Sequence, residues 1–147
     1  MILYLSGPMR GRPSFNFPTF DAVAKSLRSQ GYAILSPAEH DRELYPDIEH
    51  WPGFASGSEA ECPKFALPSS LAWDFQAITD SDGIALMDGW DESRGSRAER
   101  FVAECVGKPV FRVVPVDAGG YTLIRDSRIV MLCPEIADTE ARKEKVA

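Results

Sequence analysis

The sequence predicts a single α/β domain in which helices cover both faces of a parallel sheet. Short apolar segments alternate along the chain with segments whose apolar residues recur at helical spacing. The strand-like segments are apolar throughout instead of alternating with polar residues, which is typical of strands covered on both faces. With 147 residues, of which 44% are hydrophobic, the chain can bury one substantial core.

The first part of the chain predicts a strand, a helix and a second strand. The first strand covers residues 2–5, and a turn-rich loop follows it. Apolar residues at helical spacing predict a helix over residues 17–30, which Gly31 ends, and the second strand covers residues 32–35. This order predicts two parallel strands joined by a right-handed crossover.

Two further pairs of helix and strand are predicted downstream. They are a helix over residues 70–79 that begins at Ser69 or Ser70, a strand over 83–87, a helix over 96–106 and a strand over 109–114. Gly119 and Gly120 precede a possible C-terminal hairpin over residues 121–132. The arrangement is typical of a Rossmann-like or flavodoxin-like domain over residues 1–136, followed by a charged tail over residues 137–147.

Residues 38–67 interrupt this rhythm with an irregular stretch rich in proline, glycine and aromatic residues. Long irregular segments in small domains are usually functional or disordered. The aromatic residues favour a lid or a substrate loop. The alternative is that they cover an edge of the sheet.

The charge and the cysteines argue against several classes of function. The formal net charge of −6 argues against a surface that coats nucleic acid, and no apolar run reaches the roughly 18–20 residues of a membrane span. The N-terminus lacks a signal-peptide pattern. Cys62, Cys105 and Cys133 form no metal-binding pattern with the histidines. We therefore expect a cytoplasmic protein with reduced thiols that binds neither membrane nor metal nor cofactor.

Glu99 is the first candidate for chemistry, because it lies where a helix begins after a buried strand. Ligands collect at such places in open α/β sheets. The positive end of the helix would keep this carboxylate ionised, as a nucleophile requires. The alternative is structural, since residues 96–99 match a capping box, in which the Glu side chain reaches back to the start of its helix.

Asp74 is the second candidate. It shares a helix face with Leu71, Ala77 and Ile78. An acid on an apolar face is costly unless it is paired, hydrogen-bonded or used in catalysis. Asp74 is therefore either a satisfied acid that faces a loop or a catalytic one.

Two loops are candidate anion-binding sites. The first loop consists of Ser6, Gly7, Pro8, Met9, Arg10 and Gly11. A glycine-containing loop between a strand and a helix can direct backbone N–H groups at a phosphate, and Arg10 can bind its oxygens. The second loop contains Ser93 and Gly95, whose alternative role is to cap the helix of Glu99. Neither has the P-loop or dinucleotide-binding pattern.

Together these segments resemble the nucleoside 2-deoxyribosyltransferase superfamily. The resemblance is carried by residues 2–11, by Asp74 eight residues before the segment 82–86, and by the spacing of Ser93, Gly95 and Glu99. It extends over about residues 1–114. Within the superfamily the chain is most similar to the deoxynucleoside 5′-monophosphate N-glycosidase branch and its small phage-associated relatives.

The resemblance implies catalytic roles for Glu99, Asp74 and Tyr4. Glu99 would be the nucleophile, Asp74 would contact the sugar or assist proton transfer, and Tyr4 would orient the nucleophile. It also implies that Arg10 and Ser93 contact a 5′-phosphate, which favours nucleotides over free nucleosides. The implied activity is hydrolysis of the base–sugar bond of a (deoxy)nucleoside 5′-monophosphate through a covalent glycosyl–Glu intermediate.

Other functions stay open at this point. A transferase would pass the sugar to a second base, although Arg94 stands where transferases of the superfamily carry a base-contacting acid. A non-catalytic nucleotide-binding module is also possible, because a fold does not fix a function, and the aromatic segment could bind a protein partner. The resemblance further implies a homodimer or larger homo-oligomer.

Overall fold

The computed structural model describes residues 1–62 and 66–127. In these ranges five strands and four α-helices follow one another, with short 3₁₀ turns between some of them. In chain order they are β1 (Ile2–Ser6), α1 (Phe17–Ser29), β2 (Ala33–Leu35), α2 (Pro37–Leu44), α3 (Leu67–Asp80), β3 (Gly83–Leu86), α4 (Arg94–Cys105), β4 (Val110–Pro115) and β5 (Tyr121–Arg125).

The strands form one sheet in the order β2-β1-β3-β4-β5. Strand β1 is parallel to both β2 and β3, β3 is parallel to β4, and β5 runs antiparallel to β4. The predicted α/β fold with a flavodoxin-like, mostly parallel sheet is therefore confirmed. The strand order reverses between β1 and β3, which is the position where sheets of this kind bind ligands.

Strand β1 separates two hydrophobic clusters. Leu3 and Leu5 belong to the cluster that contains the apolar face of α1, whereas Tyr4 belongs to the cluster that contains residues of α3 and α4. Because side chains alternate along a strand, Ser6 lies on the same face as Tyr4. The face of the sheet covered by α3 and α4 therefore carries two buried hydroxyl groups from β1.

The segment over residues 38–67 is more regular than the sequence predicts. It begins within α2, where Pro37 occupies the first turn, a position in which its missing N–H group costs no hydrogen bond. Trp51 and Phe54 are buried in the same core cluster as Leu3 and Leu5. In the described part of this segment these two aromatic residues therefore contribute to the core rather than to an open lid.

Helix α3 also begins earlier than predicted. It starts at Leu67, with Pro68 in its first turn, and its N-cap residue is Ala66 rather than Ser69 or Ser70. Proline at the start of a helix is favourable for the reason given for α2. The pair of serines therefore lies within the helix.

The C-terminal hairpin consists of β4 and β5. The turn between them contains Gly119 and Gly120, both with φ near +90°, a conformation that glycine adopts without strain. The later residues of the predicted hairpin and the charged tail over 137–147 lie outside the described residues. Within the described ranges, no helix has the length and apolar character needed to cross a membrane.

Candidate active site

A cleft of about 390 Å³ opens at the carboxyl ends of the central strands. Its walls come from the loop after β1, from α2, from the first half of α3, and from the segment between β3 and α4. The loop after β1, helix α2 after β2 and the segment after β3 follow neighbouring parallel strands, so the sheet brings them to one edge. The cleft lies at the reversal of strand order between β1 and β3 and has a size typical of small-molecule sites.

Glu99 is held at the cleft by hydroxyl groups of β1. Its carboxylate accepts a short hydrogen bond from Ser6 Oγ and a longer one, 3.3 Å, from the Tyr4 hydroxyl. The Tyr4 hydroxyl also donates to Asp74 Oδ1 at 2.9 Å. A phenol has one proton, so Tyr4 links the two acids but can donate fully to only one of them at a time.

Burial has the largest effect on the pKa values of this group. Burial raises the pKa of Glu99 to about 7, and the charge of Asp74 raises it further. Hydrogen bonds from Ser6 and Tyr4 and the charge of Arg10 act in the opposite direction and lower it. Burial raises the pKa of Asp74 to about 6, against the Tyr4 hydrogen bond and Arg10. The pKa of Tyr4 lies well above its usual value because of burial and the two carboxyls. Tyr4 therefore remains a hydrogen-bond donor.

Two expectations about Glu99 are wrong. Helix α4 begins at Arg94, which places Glu99 in the second turn, where the positive end of the helix has little influence. Its pKa is accordingly raised by burial. The capping box is absent as well, because Ser93 rather than Ser96 caps the helix by accepting the Ser96 N–H at 3.3 Å. The Glu99 carboxylate bonds to β1 instead.

Helix α4 presents its N-terminal end to the cleft. Ser93, Gly95 and Ser96 all line the cleft, and Arg94 lies beside them. The N–H groups in the first turn of a helix have no partner within the helix and carry partial positive charge. This wall can therefore accept an anion. Ser93 combines its capping role with a place on that wall.

The loop after β1 is divided between the cleft and the protein interior. The residues that line the cleft are Gly7, Pro8, Met9 and Arg10. The sequence predicts Ser6 and Gly11 as substrate contacts too, but Ser6 is fully buried against Glu99, and the Gly11 N–H donates to the Gly57 carbonyl at 2.9 Å. A Cβ atom at position 7 would lie 2.9 Å from Met87 Cβ, so the loop needs glycine there.

Arg10 provides positive charge at an otherwise acidic site. Its Nε atom forms an ion pair with Glu59 at 2.6 Å, and its charge lowers the pKa values of both Glu99 and Asp74. Arg12 and Arg94 also line the cleft. Three arginines, of which Arg10 and Arg12 are paired with Glu59 and Glu92, and the end of α4 therefore supply positive charge for an anionic group that enters beside the acids.

A strained turn forms part of the apolar wall. Ser14, Phe15 and Asn16 have φ angles of 53°, 48° and 62°, which non-glycine residues rarely adopt and which cost roughly 1–2 kcal/mol each. Packing and hydrogen bonds hold the turn in place: the Phe15 ring lies 5.8 Å from that of Phe54, and Asn16 Nδ2 donates to the Pro8 carbonyl at 2.9 Å. The turn directs Phe15 to the cleft.

Asp41 is a site residue that sequence reasoning missed. It lies on α2, is only 5% exposed and lines the cleft. The available signal is its spacing, since Asp41 follows Ala38 by three residues on the buried face of α2. The same signal singles out Asp74 on α3. It is lost when the segment is interpreted as irregular.

Comparisons with known proteins bear on the segment that contains this cleft. A search of curated proteins finds no match to the chain. A family model described as a domain of unknown function, DUF4406, matches residues 1–112, a range that includes every cleft residue described above, and the chain therefore belongs to this family.

Proposed function

We propose that the protein hydrolyses the base–sugar bond of a (deoxy)nucleoside 5′-monophosphate. The observation that carries the proposal is the buried group of Glu99, Ser6, Tyr4 and Asp74 at a cleft beside the strand-order reversal. A carboxylate held by two hydroxyl donors and accompanied by a second acid is suited to retaining glycosyl chemistry. The resemblance to the nucleoside 2-deoxyribosyltransferase superfamily implies catalytic roles for Glu99, Asp74 and Tyr4.

Glu99 is the nucleophile of the proposed reaction. Its carboxylate attacks the anomeric carbon as the bond to the base breaks through an oxocarbenium-like state. The electron pair of that bond leaves with the base, and a glycosyl ester forms on Glu99. Water then hydrolyses the ester and releases the sugar phosphate. Ser6 and Tyr4 orient the carboxylate and stabilise its charged form, which burial alone would disfavour.

Asp74 and Tyr4 act on the sugar side of the site. The Tyr4 hydrogen bond and the charge of Arg10 lower the pKa of Asp74 against the effect of burial, and so favour its ionised form. An ionised carboxylate can accept hydrogen bonds from sugar hydroxyls and stabilise positive charge that develops on the ring. Tyr4 connects Asp74 to the nucleophile and keeps the two carboxyls at a fixed separation.

The positive wall of the cleft favours a monophosphate over a free nucleoside. Arg10, Arg94 and the N-terminal end of α4 lie on this wall. Guanidinium groups and helix N-termini are both common phosphate ligands. The positive charge of Arg10 on this wall also lowers the pKa of Glu99, and so assists its ionisation.

The test is a panel in which the purified protein is incubated with each ribo- and deoxynucleoside 5′-monophosphate, and free base is measured by chromatography. We expect release of at least one base, and a loss of at least about 10³-fold in rate for Glu99→Gln. Glu43→Gln, which changes an exposed acid on α2, is the matched control. A Glu99→Gln variant with the wild-type rate would refute the mechanism.

An added second base separates hydrolysis from transfer. A hydrolase releases sugar phosphate whether or not the second base is present, whereas a transferase forms a new nucleotide. Binding of a monophosphate without release of any base, with or without an acceptor, would identify a nucleotide-binding module.

A further inference from the structure

A third carboxyl group, Asp41, faces the cleft from the side opposite to the helix of Glu99. Helix α2 follows β2 and α4 follows β3, and these strands lie on either side of β1. Asp41 and Glu99 therefore approach the cleft from the two sides of β1. Asp74 is close to both, since its charge raises the pKa values of Glu99 and Asp41 alike.

The Asp41 carboxyl makes no hydrogen bond or ion pair with another residue in the described ranges, although the residue is only 5% exposed. The adjacent cation, Arg42, turns away and binds Asp21 and Glu49. A buried carboxyl without a partner favours its neutral form. Burial and the Asp74 charge raise the pKa of Asp41 to about 7.

The other two acids are engaged as hydrogen-bond acceptors. Asp74 accepts from Tyr4, and Glu99 accepts from both Ser6 and Tyr4. Of the three carboxyls, Asp41 is therefore the one that accepts no hydrogen bond from another side chain in the described ranges, so both of its oxygens are open to a molecule in the cleft. As a neutral acid it offers an O–H donor.

We propose that Asp41 is the general acid that protonates the departing base. This inference rests on the proposed glycosidase function. As the bond between the anomeric carbon and the base nitrogen breaks, its electron pair moves to the base and a Glu99 oxygen bonds to the carbon. The Asp41 proton passes to a nitrogen or oxygen of the base, which leaves neutral, and Asp41 becomes a carboxylate. The water that later opens the ester supplies the proton that restores it.

The placement fits the leaving group. A glycosidic oxygen is protonated at the atom that leaves, so the two acids of a retaining sugar hydrolase lie only about 5–5.5 Å apart. A nucleobase takes its proton at a ring or carbonyl atom away from the bond that breaks. Its acid must therefore lie beyond the acid that contacts the sugar, as Asp41 lies beside Asp74.

The test compares ordinary purine monophosphates with their 7-methylated forms, whose base already carries positive charge and leaves without a proton. We expect Asp41→Asn to lower kcat at least about 10²-fold on the ordinary substrate, and less than about tenfold on the methylated one. Asp41→Glu, which keeps an acid, should retain part of the activity. Glu43→Gln is the control on the same helix.

Each other outcome has a distinct meaning. Equal losses of Asp41→Asn on both substrates, with a normal thermal melt, would overturn the general-acid role while the glycosidase function stands. Full activity of Asp41→Asn on both would do the same. A wild-type protein that releases no base from any ribo- or deoxynucleoside 5′-monophosphate, methylated or not, would refute the proposed function itself, and with it the inference.

Discussion

Three buried carboxyls lie along one cleft, and burial gives each a higher affinity for protons than it has in water. The pKa values are about 7 for Glu99, about 6 for Asp74 and about 7 for Asp41. Their ordinary values lie near 4. Keeping these groups charged therefore lowers the stability of the fold at neutral and alkaline pH. The same burial gives Glu99 and Asp41 pKa values suited to acid–base chemistry near pH 7.

The folded protein should be most stable on the acidic side of neutrality. Between about pH 4 and pH 7 the three carboxyls bind more protons in the folded than in the unfolded state, so the free energy of unfolding falls as the pH rises through this window. Below the window all are protonated in both states, and above it the full cost is present. Urea unfolding of wild type at pH 5 and pH 8 measures the difference.

Glu99→Gln should remove a large part of that cost. At pH 8 we expect it to raise the free energy of unfolding by about 1–3 kcal/mol, and at pH 5 to change it little. Glu43→Gln is the control, because Glu43 is exposed. A Glu99→Gln variant that is less stable than wild type at pH 8 would show that the hydrogen bonds from Ser6 and Tyr4 outweigh burial.

Individual site residues could be predicted from sequence where an acid interrupts an apolar helix face. Asp74 is predicted in this way, whereas Glu99 is predicted from its place near the start of a helix that follows a buried strand, and the structure brings both to one cleft. The partner of Glu99 could not be predicted, because Ser6 reads as a loop residue until its strand is known to lie beneath α4. Asp41 required α2, and a helix of eight residues that begins at a proline gives a weak periodic signal.

At the level of elements, the cleft depends on contacts between segments distant in sequence. The loop after β1 meets the turns before α3 through the Arg10–Glu59 ion pair and through the hydrogen bond from the Gly11 N–H to the Gly57 carbonyl. Both partners of the ion pair line the cleft. In the free protein Glu59 is therefore paired with Arg10, a cation that a bound phosphate could contact instead.

Arg10→Ala should raise KM for a monophosphate about 10- to 100-fold more than for the corresponding free nucleoside, since a charge-assisted bond to phosphate is worth roughly 1.5–3 kcal/mol. Glu59→Gln should act in the opposite direction and lower KM for the monophosphate. Steady-state kinetics on both substrates provides the measurement. Arg97→Ala removes an equal charge from the exposed side of α4 and serves as control. Equal effects of Arg10→Ala on both substrates would remove the phosphate assignment.

Across the described chain, β5 extends the sheet beyond the segment that defines the family, since the family match ends at residue 112, within β4. It is attached on one edge by its pairing with β4 and from one face by α1. Ser26 makes a reciprocal pair of hydrogen bonds with Tyr121: its hydroxyl donates to the Tyr121 carbonyl at 3.1 Å and accepts the Tyr121 N–H at 2.8 Å. Gln30 Nε2, at the C-terminal end of α1, donates to the same carbonyl at 2.6 Å. Side chains of this helix end thus supply hydrogen bonds that a neighbouring strand would otherwise supply.

Ser26→Ala should therefore lower the free energy of unfolding by about 1–2 kcal/mol, because it leaves the Tyr121 N–H without its partner. Urea unfolding measures the change, and Ser29→Ala is the matched control, since the Ser29 hydroxyl bonds only within its own exposed helix face. Base release by Ser26→Ala should equal that of wild type at a temperature where both are folded. If the two serine variants are equally stable, the Ser26 hydroxyl does not contribute to the attachment of β5.

The order of helices and strands could be predicted from periodicity and turn residues, because each depends on neighbours within about ten positions. The strand order within the sheet depends on packing between distant segments, as does the burial of Trp51 and Phe54 in the core. An aromatic residue in a stretch without periodicity carries no sign of which surface it will cover. That is why the sequence alone favours a lid or a substrate loop for this segment.

The alternation of side chains along β1 has a consequence for how the protein tolerates change. Leu3 and Leu5 face one side of the sheet, and Tyr4 and Ser6 face the other. Apolar exchanges at positions 3 and 5 alter packing alone, so variants that fold should work. Positions 4 and 6 can be changed to residues that pack equally well and still silence the reaction. In a library of random variants, substitutions at positions 3 and 5 should thus change stability, whereas substitutions at positions 4 and 6 should change the proposed activity even where the protein folds.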